Sequence, residues 1–146
     1  MSLSNTAETA LLQLYFNNDA VANIGDVGGL QPSSTAGSLY VALHTADPGE
    51  AGNQSTSEAT YTGYARVGVA RSSAGWTVSG NSVSNTALVQ FGLCTAGSSV
   101  VTHFSIGTAS AGAGSILLSG ALSSTLSVNV GIQPQFSAGQ LAPTVD

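Results

Sequence analysis

The residues of this 146-residue chain best suited to chemistry are His44, Asp47 and the many serines, the groups of a hydrolytic triad. A triad needs its nucleophile on a strained elbow beside an oxyanion hole. The sequence contains no Gly-x-Ser-x-Gly elbow, so we expect no enzymatic activity. For His44 we expect a hydrogen bond to a backbone carbonyl or a role at the end of a strand.

Metal ligation is the second chemistry to weigh. Neither histidine has a partner at ligand spacing, and Cys94 is the only cysteine, which leaves too few ligands for a closed zinc site. Asp47, Glu50 and Glu58 form the densest acidic stretch, but they lack the alternating pattern of a calcium loop. We therefore expect no metal and no cofactor, and we expect Cys94 to be a small buried residue.

Arg66 and Arg71 are the only cationic side chains, since the chain has no lysine. Five residues apart in an unbroken strand, they would point to opposite faces. We predict that one pairs with Glu58 or Asp47 inside the subunit. The other is predicted to face a partner, where a guanidinium fork suits carboxylates.

The aromatic group Tyr61, Tyr64 and Trp76 has two interpretations. It could form a platform on which a sugar stacks. Aromatic side chains more often serve as anchors in a core or an interface, where they bury large areas. We favour the second interpretation.

The charge balance excludes two classes of partner. The formal net charge is -5, and two arginines are too few to neutralise a run of phosphates. Nucleic acid is therefore not expected as a partner, and neither is an anionic membrane.

The composition suits an assembled protein. Charged residues make up 6% of the chain, against about 25% in an average soluble domain. The surface must be built from small polar residues, including 22 Ser, 14 Thr and 18 Gly. Such side chains lose little entropy when a partner covers them. A stable secreted β-domain has the same composition, but the N-terminal segment has no signal-peptide pattern, so we expect synthesis in the cytoplasm.

The element pattern predicts a mainly β chain with one short N-terminal α-helix, over residues 5–17. Asn5 is its predicted N-cap, with Glu8 completing a capping box, and Leu11 and Tyr15 lie on its predicted apolar face. Residues 18–37 are a predicted loop. The predicted strands are 39–44, 61–71, 76–79, 82–84, 87–91, 100–106, 115–118, 126–130 and 136–141.

Short strands with turn signals at close spacing are typical of a β-sandwich or jelly-roll-like domain. We predict a single domain over residues 1–146, with the sandwich over 38–142. Gly80-Asn81 between two period-2 runs predicts a hairpin.

Seven segments in order carry a family resemblance. They are residues 40–52 (YVALHTADPGEAG), Glu58, 64–66 (YAR), Asn85, 101–107 (VTHFSIG), 117–122 (LLSGAL) and 136–141 (FSAGQL). The chain resembles small structural proteins of tailed phages and prophages that are often labelled tail-fibre-like. The resemblance implies a short β-sandwich protein of the virion, without catalytic residues.

Two places in the virion agree with this resemblance. A capsid decoration or cement protein that stabilises the head comes first, because the sequence has neither the repeat nor the coiled coil of a fibre shaft. A tail-fibre or tail-tip and baseplate component for host attachment is the alternative.

The expected partners are other copies of the chain and a virion protein. A homotrimer is implied by the trimeric habit of the decoration proteins that the chain resembles, and the further partner would be the major capsid protein or another virion protein. The candidate structural or interface residues are Asp47, Glu58, Tyr64, Arg66, Arg71 and Trp76.

Overall fold

A computed structural model describes residues 2–145. The predicted fold class is confirmed: 35% of the chain is strand and 9% is helix, with one short N-terminal helix and several antiparallel sheets. The helical part of the described residues is α1 (Asn5–Leu12) followed by a π-helical turn, Gln13–Asn17. The strands are β1 (Ser38–His44), β2 (Val67–Ala70), β3 (Trp76–Ser79), β4 (Ser82–Asn85), β5 (Val89–Gln90), β6 (Ser99–Gly107), β7 (Ile116–Val128) and β8 (Gln135–Phe136).

The described chain divides into two compact units. The first unit consists of the chain up to Ser38, the segment Ala70–Leu88 and the chain from Ser137 onward. The second unit consists of Leu39–Val69 and Val89–Phe136. The organisation as one domain stays a prediction.

The N-terminal helix has the predicted extent, but its cap is wrong by one residue. Ser4, not Asn5, is the N-cap, and its hydroxyl accepts a hydrogen bond from the amide of Ala7 at 3.3 Å. Extended backbone at Ser4 leaves its short side chain free to reach that amide. The helical run stops at Asn18, which adopts the left-handed conformation with φ of 61°.

The buried side of this helix also differs from the prediction. Leu12 and Phe16 are buried, whereas Tyr15 is 46% exposed. Phe16 packs edge-to-face on Trp76, with 5.1 Å between ring centroids, so this aromatic contact decides which side of the helix faces inward.

A four-stranded sheet has the strand order β2-β1-β6-β7. The central strands β1 and β6 are antiparallel, with a register that runs from Tyr40 opposite Gly107 to His44 opposite His103. Both faces of this pair are covered. The fully buried residues of the two strands are Val41, Ala42, Leu43, His44, Val101, Ser105 and Ile106.

β7 replaces two predicted strands, 115–118 and 126–130, with one strand of 13 residues. Its register against β6 jumps from Val101 opposite Leu126 to His103 opposite Ala121. The four residues from Leu122 to Thr125 therefore stand opposite one residue of β6, Thr102, in a wide irregularity. The sequence suggested a gap at this point because small polar residues interrupt the apolar alternation.

The predicted hairpin is present as β3 and β4, which pair from Trp76 opposite Asn85 to Ser79 opposite Ser82. Gly80 in the turn has φ of 60°, a conformation that costs glycine little. The predicted strand at 136–141 shrinks to β8, and the predicted strand at 87–91 shrinks to β5. These two short strands pair with each other.

The predicted long strand over residues 61–71 is wrong in its first half. Only β2, at its end, is a strand, because the chain turns at Gly63, where φ is 102°. Tyr64 donates its amide hydrogen to the carbonyl of Tyr61 across this turn, at 3.0 Å. Thr62 meanwhile exchanges backbone hydrogen bonds with the segment around Ala96, so pairing with a distant segment bends the chain here.

Candidate functional site

The second unit holds an ion pair. The Nε atom of Arg66 lies 2.7 Å from Oε1 of Glu58, and its Nη2 atom lies 2.8 Å from Oε2. The side chain of Arg66 is 2% exposed and that of Glu58 is 19% exposed. Two parallel hydrogen bonds in a buried place are the strong form of an arginine–carboxylate contact. Of the two acidic partners that the sequence offered, the structure therefore pairs Arg66 with Glu58.

Two further hydrogen bonds join Arg66 to a loop. Nη1 donates to the carbonyl of Ala109 at 2.9 Å, and Nη2 donates to the carbonyl of Gly112 at 2.7 Å. The hydrogen bond to Glu58 is the largest cause that raises the pKa of Arg66, so the cation is held charged. A guanidinium with its donors used in this way is a structural crosslink and has little capacity left for a ligand.

Tyr64 completes this cluster. Its hydroxyl donates to Oε1 of Glu58 at 2.9 Å and accepts a hydrogen bond from the amide of Leu43 at 3.0 Å. Burial raises the pKa of the phenol. The ring of Tyr64 packs edge-to-face on Tyr61, and burial raises the pKa of Tyr61 to about 12. Both phenols are therefore neutral groups that fix the cluster in place.

Glu58 is positioned by the end of β1. Thr45 donates its amide hydrogen to the carbonyl of Ser57 at 2.7 Å, and Ala59 donates to the carbonyl of Leu43 at 2.9 Å. The segment around Glu58 thus runs antiparallel to β1 as a short extra ladder. This pairing turns the carboxylate toward Arg66.

A buried histidine lies beside the ion pair. His44 is fully buried, with Nδ1 2.8 Å from the carbonyl of Thr56 and Nε2 2.7 Å from the hydroxyl of Ser105. A carbonyl only accepts, so Nδ1 donates and Nε2 accepts from Ser105. Burial lowers the pKa of His44 below its ordinary value of 6.5. Ser105 is also fully buried, so this Ser–His contact is closed to any substrate.

Gln54 is a residue that the sequence analysis missed. It is fully buried, and its amide nitrogen donates to the carbonyl of Tyr40 at 3.0 Å, while its oxygen accepts from the amide of Ala109 at 2.9 Å. Two glycines make room for it, since a Cβ added at Gly107 or Gly114 would lie 2.3 to 2.4 Å from the Gln54 side chain. Gln54 thereby fixes the loop that carries the carbonyls bound by Arg66.

An open pocket of about 430 Å³ lies over this cluster. The two charged side chains that line it, Glu58 and Arg66, form an ion pair, so their charges cancel. The pocket is lined by Ser55, Glu58, Ala59, Thr60, Tyr64, Ala65, Arg66, Ser110, Ala111 and Gly112.

Asp47 forms a separate, local contact. It is exposed, and its carboxylate accepts a hydrogen bond from the amide of Gly49 at 2.9 Å. This is the local turn that the Asp-Pro-Gly sequence predicts. Within residues 2–145, no three His, Cys, Asp or Glu side chains are grouped in a way that could hold a metal ion.

Arg71 belongs to the first unit and binds backbone. It donates to the carbonyl of Tyr15 at 2.6 Å, to the carbonyl of Leu14, and to the hydroxyl of Ser33 at 2.9 Å. Carbonyls at a helix end lack partners within the helix, so a cation there satisfies them. Arg71 thus holds the helical segment, a role that its sequence context did not indicate.

Trp76 is fully buried in the first unit against Phe16. The platform interpretation is therefore wrong for Trp76, because no face of the indole is open to a sugar. Cys94 is buried as predicted. In the described chain, no helix is long and apolar enough to cross a membrane.

One family of known proteins accounts for nearly the whole chain. The family model described as Podophage GP4 fiber I protein gp80 matches residues 2–144. The chain belongs to this family. No curated protein matches the sequence. Membership of this family supports a structural role in a phage virion. The predicted resemblance to phage structural proteins is therefore confirmed.

Proposed function

We propose that this protein is a non-enzymatic structural subunit of the virion fibre at the phage tail. The observation that carries the proposal is the match of residues 2–144 to a family of podophage fibre proteins. This reverses the order of the two placements drawn from the sequence, in which head decoration came first.

The ion-pair cluster is consistent with a structural role. Arg66 joins Glu58 to the carbonyls of Ala109 and Gly112, so one side chain ties together three segments of the second unit. The polar groups of this cluster hydrogen-bond to one another, and the buried His44–Ser105 contact is closed to solvent. Such an arrangement stiffens a domain and offers no reactive group at the surface.

In this proposal copies of the chain associate as a homotrimer and contact another virion protein. Support comes from the charge distribution, since residues 72–145 contain no Asp, Glu, Lys or Arg. Surfaces built from this half exert little electrostatic repulsion on one another. Light scattering on the purified chain should give the mass of three copies.

Capsid decoration is the second candidate. One observation favours it: in residues 2–145 the α-helix is only eight residues long, and neither a coiled coil nor a repeat supplies a shaft. Head decoration would have the virion protein partner be the major capsid protein.

Immunogold labelling of purified virions with antibodies against this chain tests the placement. The proposal expects label at the tail and a small copy number per particle by quantitative mass spectrometry. Label spread over the head, with hundreds of copies per particle, would replace the fibre role by head decoration. Absence of the chain from washed virions would refute both candidates.

A further inference from the structure

The end of the N-terminal helical segment departs from the regular α-helical hydrogen-bond pattern. Over Gln13–Asn17 the backbone forms a π-helical turn, in which the carbonyl of Gln13 accepts from the amide of Asn18. The amide of Asp19 donates to the same carbonyl at 3.2 Å. Turns of this kind are rare, and a side chain or a water molecule inserted beside the backbone is one recognised cause of irregularity in a helix.

This helical segment lies against the β3–β4 hairpin of the same unit. The hydroxyl of Thr9 donates to the carbonyl of Gly80 in the hairpin turn at 2.9 Å. At the other end of the segment, Phe16 packs edge-to-face on Trp76, and β3 contacts the π-helical turn. Asn17 directly follows Phe16, so the last residue of this turn lies beside the indole of Trp76.

The indole nitrogen of Trp76 is a buried hydrogen-bond donor without an acceptor. Trp76 is 0% exposed, and no atom of residues 2–145 accepts a hydrogen bond from its Nε1. A buried indole N–H usually has a partner, because leaving a donor both dehydrated and unpaired costs free energy. The unpaired Nε1 therefore points to a small polar molecule beside it.

The side-chain oxygen of Asn17 is a buried acceptor without a donor. Its Oδ1 atom is closed to solvent, and no group of the described residues donates a hydrogen bond to it. Within the described chain, Oδ1 of Asn17 and Nε1 of Trp76 are the two buried side-chain polar atoms that lack a partner. One is an acceptor, the other is a donor, and they belong to adjoining elements. They are therefore complementary ends of one site.

We propose that one buried water molecule bridges Trp76 and Asn17. Its oxygen accepts the hydrogen of Nε1, and one of its own hydrogens is donated to Oδ1, so both side chains gain a partner. Water can accept and donate at the same time, and two polar partners are enough to hold a water molecule in a protein interior. The bridge joins the end of the helical segment to β3. The inference is independent of the place of the protein in the virion.

Nuclear magnetic resonance of the isotope-labelled full chain tests this bridge. Trp76 is the only tryptophan, so its indole N–H gives one isolated resonance that reports on this site alone. We expect a nuclear Overhauser effect between this hydrogen and water, with the sign of a water molecule that tumbles with the protein. A rotating-frame experiment separates this effect from chemical exchange of the indole hydrogen, because the two give cross-peaks of opposite sign.

Three substitutions in the π-helical turn locate the water. Asn17→Leu removes the acceptor at a similar side-chain volume, so the cross-peak to water should be lost. Asn17→Asp keeps an acceptor oxygen, so the cross-peak should persist. Gln13→Leu is the matched control, because Gln13 is an exposed residue of the same turn, and its variant should keep the cross-peak. Amide spectra that are unchanged away from the substitution show that a variant is folded.

A high-resolution crystal structure of the wild type is the second measurement, and it decides the question even if Asn17→Leu does not fold. It should show one water oxygen at about 2.7–3.2 Å from both Nε1 of Trp76 and Oδ1 of Asn17. A direct hydrogen bond between the two side chains, or no water density between them, would overturn the inference. So would a wild-type spectrum without the cross-peak to water, or a cross-peak that persists in folded Asn17→Leu.

Discussion

Replacing Arg66 by alanine is the sharpest test of the structural cluster. The substitution removes both hydrogen bonds to Glu58 and leaves the carbonyls of Ala109 and Gly112 without their donor. Breaking a buried ion pair by removing one partner costs about 3–5 kcal/mol. The side chain of Glu58 is 19% exposed, so water partly rehydrates the orphaned carboxylate, and the lower end, about 3 kcal/mol, is expected.

Urea unfolding followed by far-UV circular dichroism measures this loss. The Arg66→Ala midpoint should fall while the slope of free energy against urea stays unchanged, because the surface exposed on unfolding is the same. The double variant Arg66→Met with Glu58→Met separates the cost of an orphaned charge from the cost of losing the ion pair. Replacing both partners by apolar side chains leaves no orphaned charge, so this variant should be more stable than Arg66→Ala.

A loss below about 1 kcal/mol for Arg66→Ala would contradict this reasoning, since that is the range of exposed pairs. The same conclusion would follow if Arg66→Ala and the double variant were equally destabilised. Either result would mean that Glu58 finds water in place of its partner and that the buried geometry does not decide the stability.

Three further predictions concern other buried or tied groups. The free energy of unfolding should fall as the pH drops below about 6.5 through the lowered pKa of His44, because the unfolded chain binds a proton there and the folded chain does not. The substitution His44→Gln should flatten this part of a plot of the urea midpoint against pH. Arg71→Ala should destabilise the first unit by about 1–3 kcal/mol, by the loss of charged hydrogen bonds to Leu14 and Tyr15, with faster hydrogen exchange in residues 5–17 as the readout. Cys94 should resist a thiol reagent until urea unfolds the chain, and rapid labelling of native protein would contradict its burial.

The elements that local signals determine were predictable. The β3–β4 hairpin follows from Gly80-Asn81 between alternating residues, β1 follows from a compact apolar run, and β6 follows from alternating residues. The strand expected over 61–71 fails because Thr62 pairs with Ala96, a contact between distant segments that no local pattern reports. Long-range pairing overrides propensity there.

The site was predictable in its charged members, in Tyr64 and in the bond of His44 to a backbone carbonyl. Arg66 and Glu58 could be paired because a buried guanidinium needs a counter-charge and few acidic residues are near it in sequence. The carbonyls of Ala109 and Gly112 could not be named, since every residue carries a carbonyl. Gln54 was missed because its burial depends on the space left by Gly107 and Gly114, and these glycines resemble ordinary turn residues in the sequence.

The irregularity in β7 bears on how this protein avoids nonspecific association through the edge of its sheet. An exposed edge strand invites other strands to add, and proteins commonly prevent this with lysines, prolines or bulges. β7 contains neither charge nor proline over Ile116–Val128, and of these three devices it has the irregularity, at Leu122–Thr125. Protection by backbone shape does not depend on ionic strength or on pH. We therefore expect the protection that this irregularity gives the edge to be the same in dilute buffer and in concentrated salt.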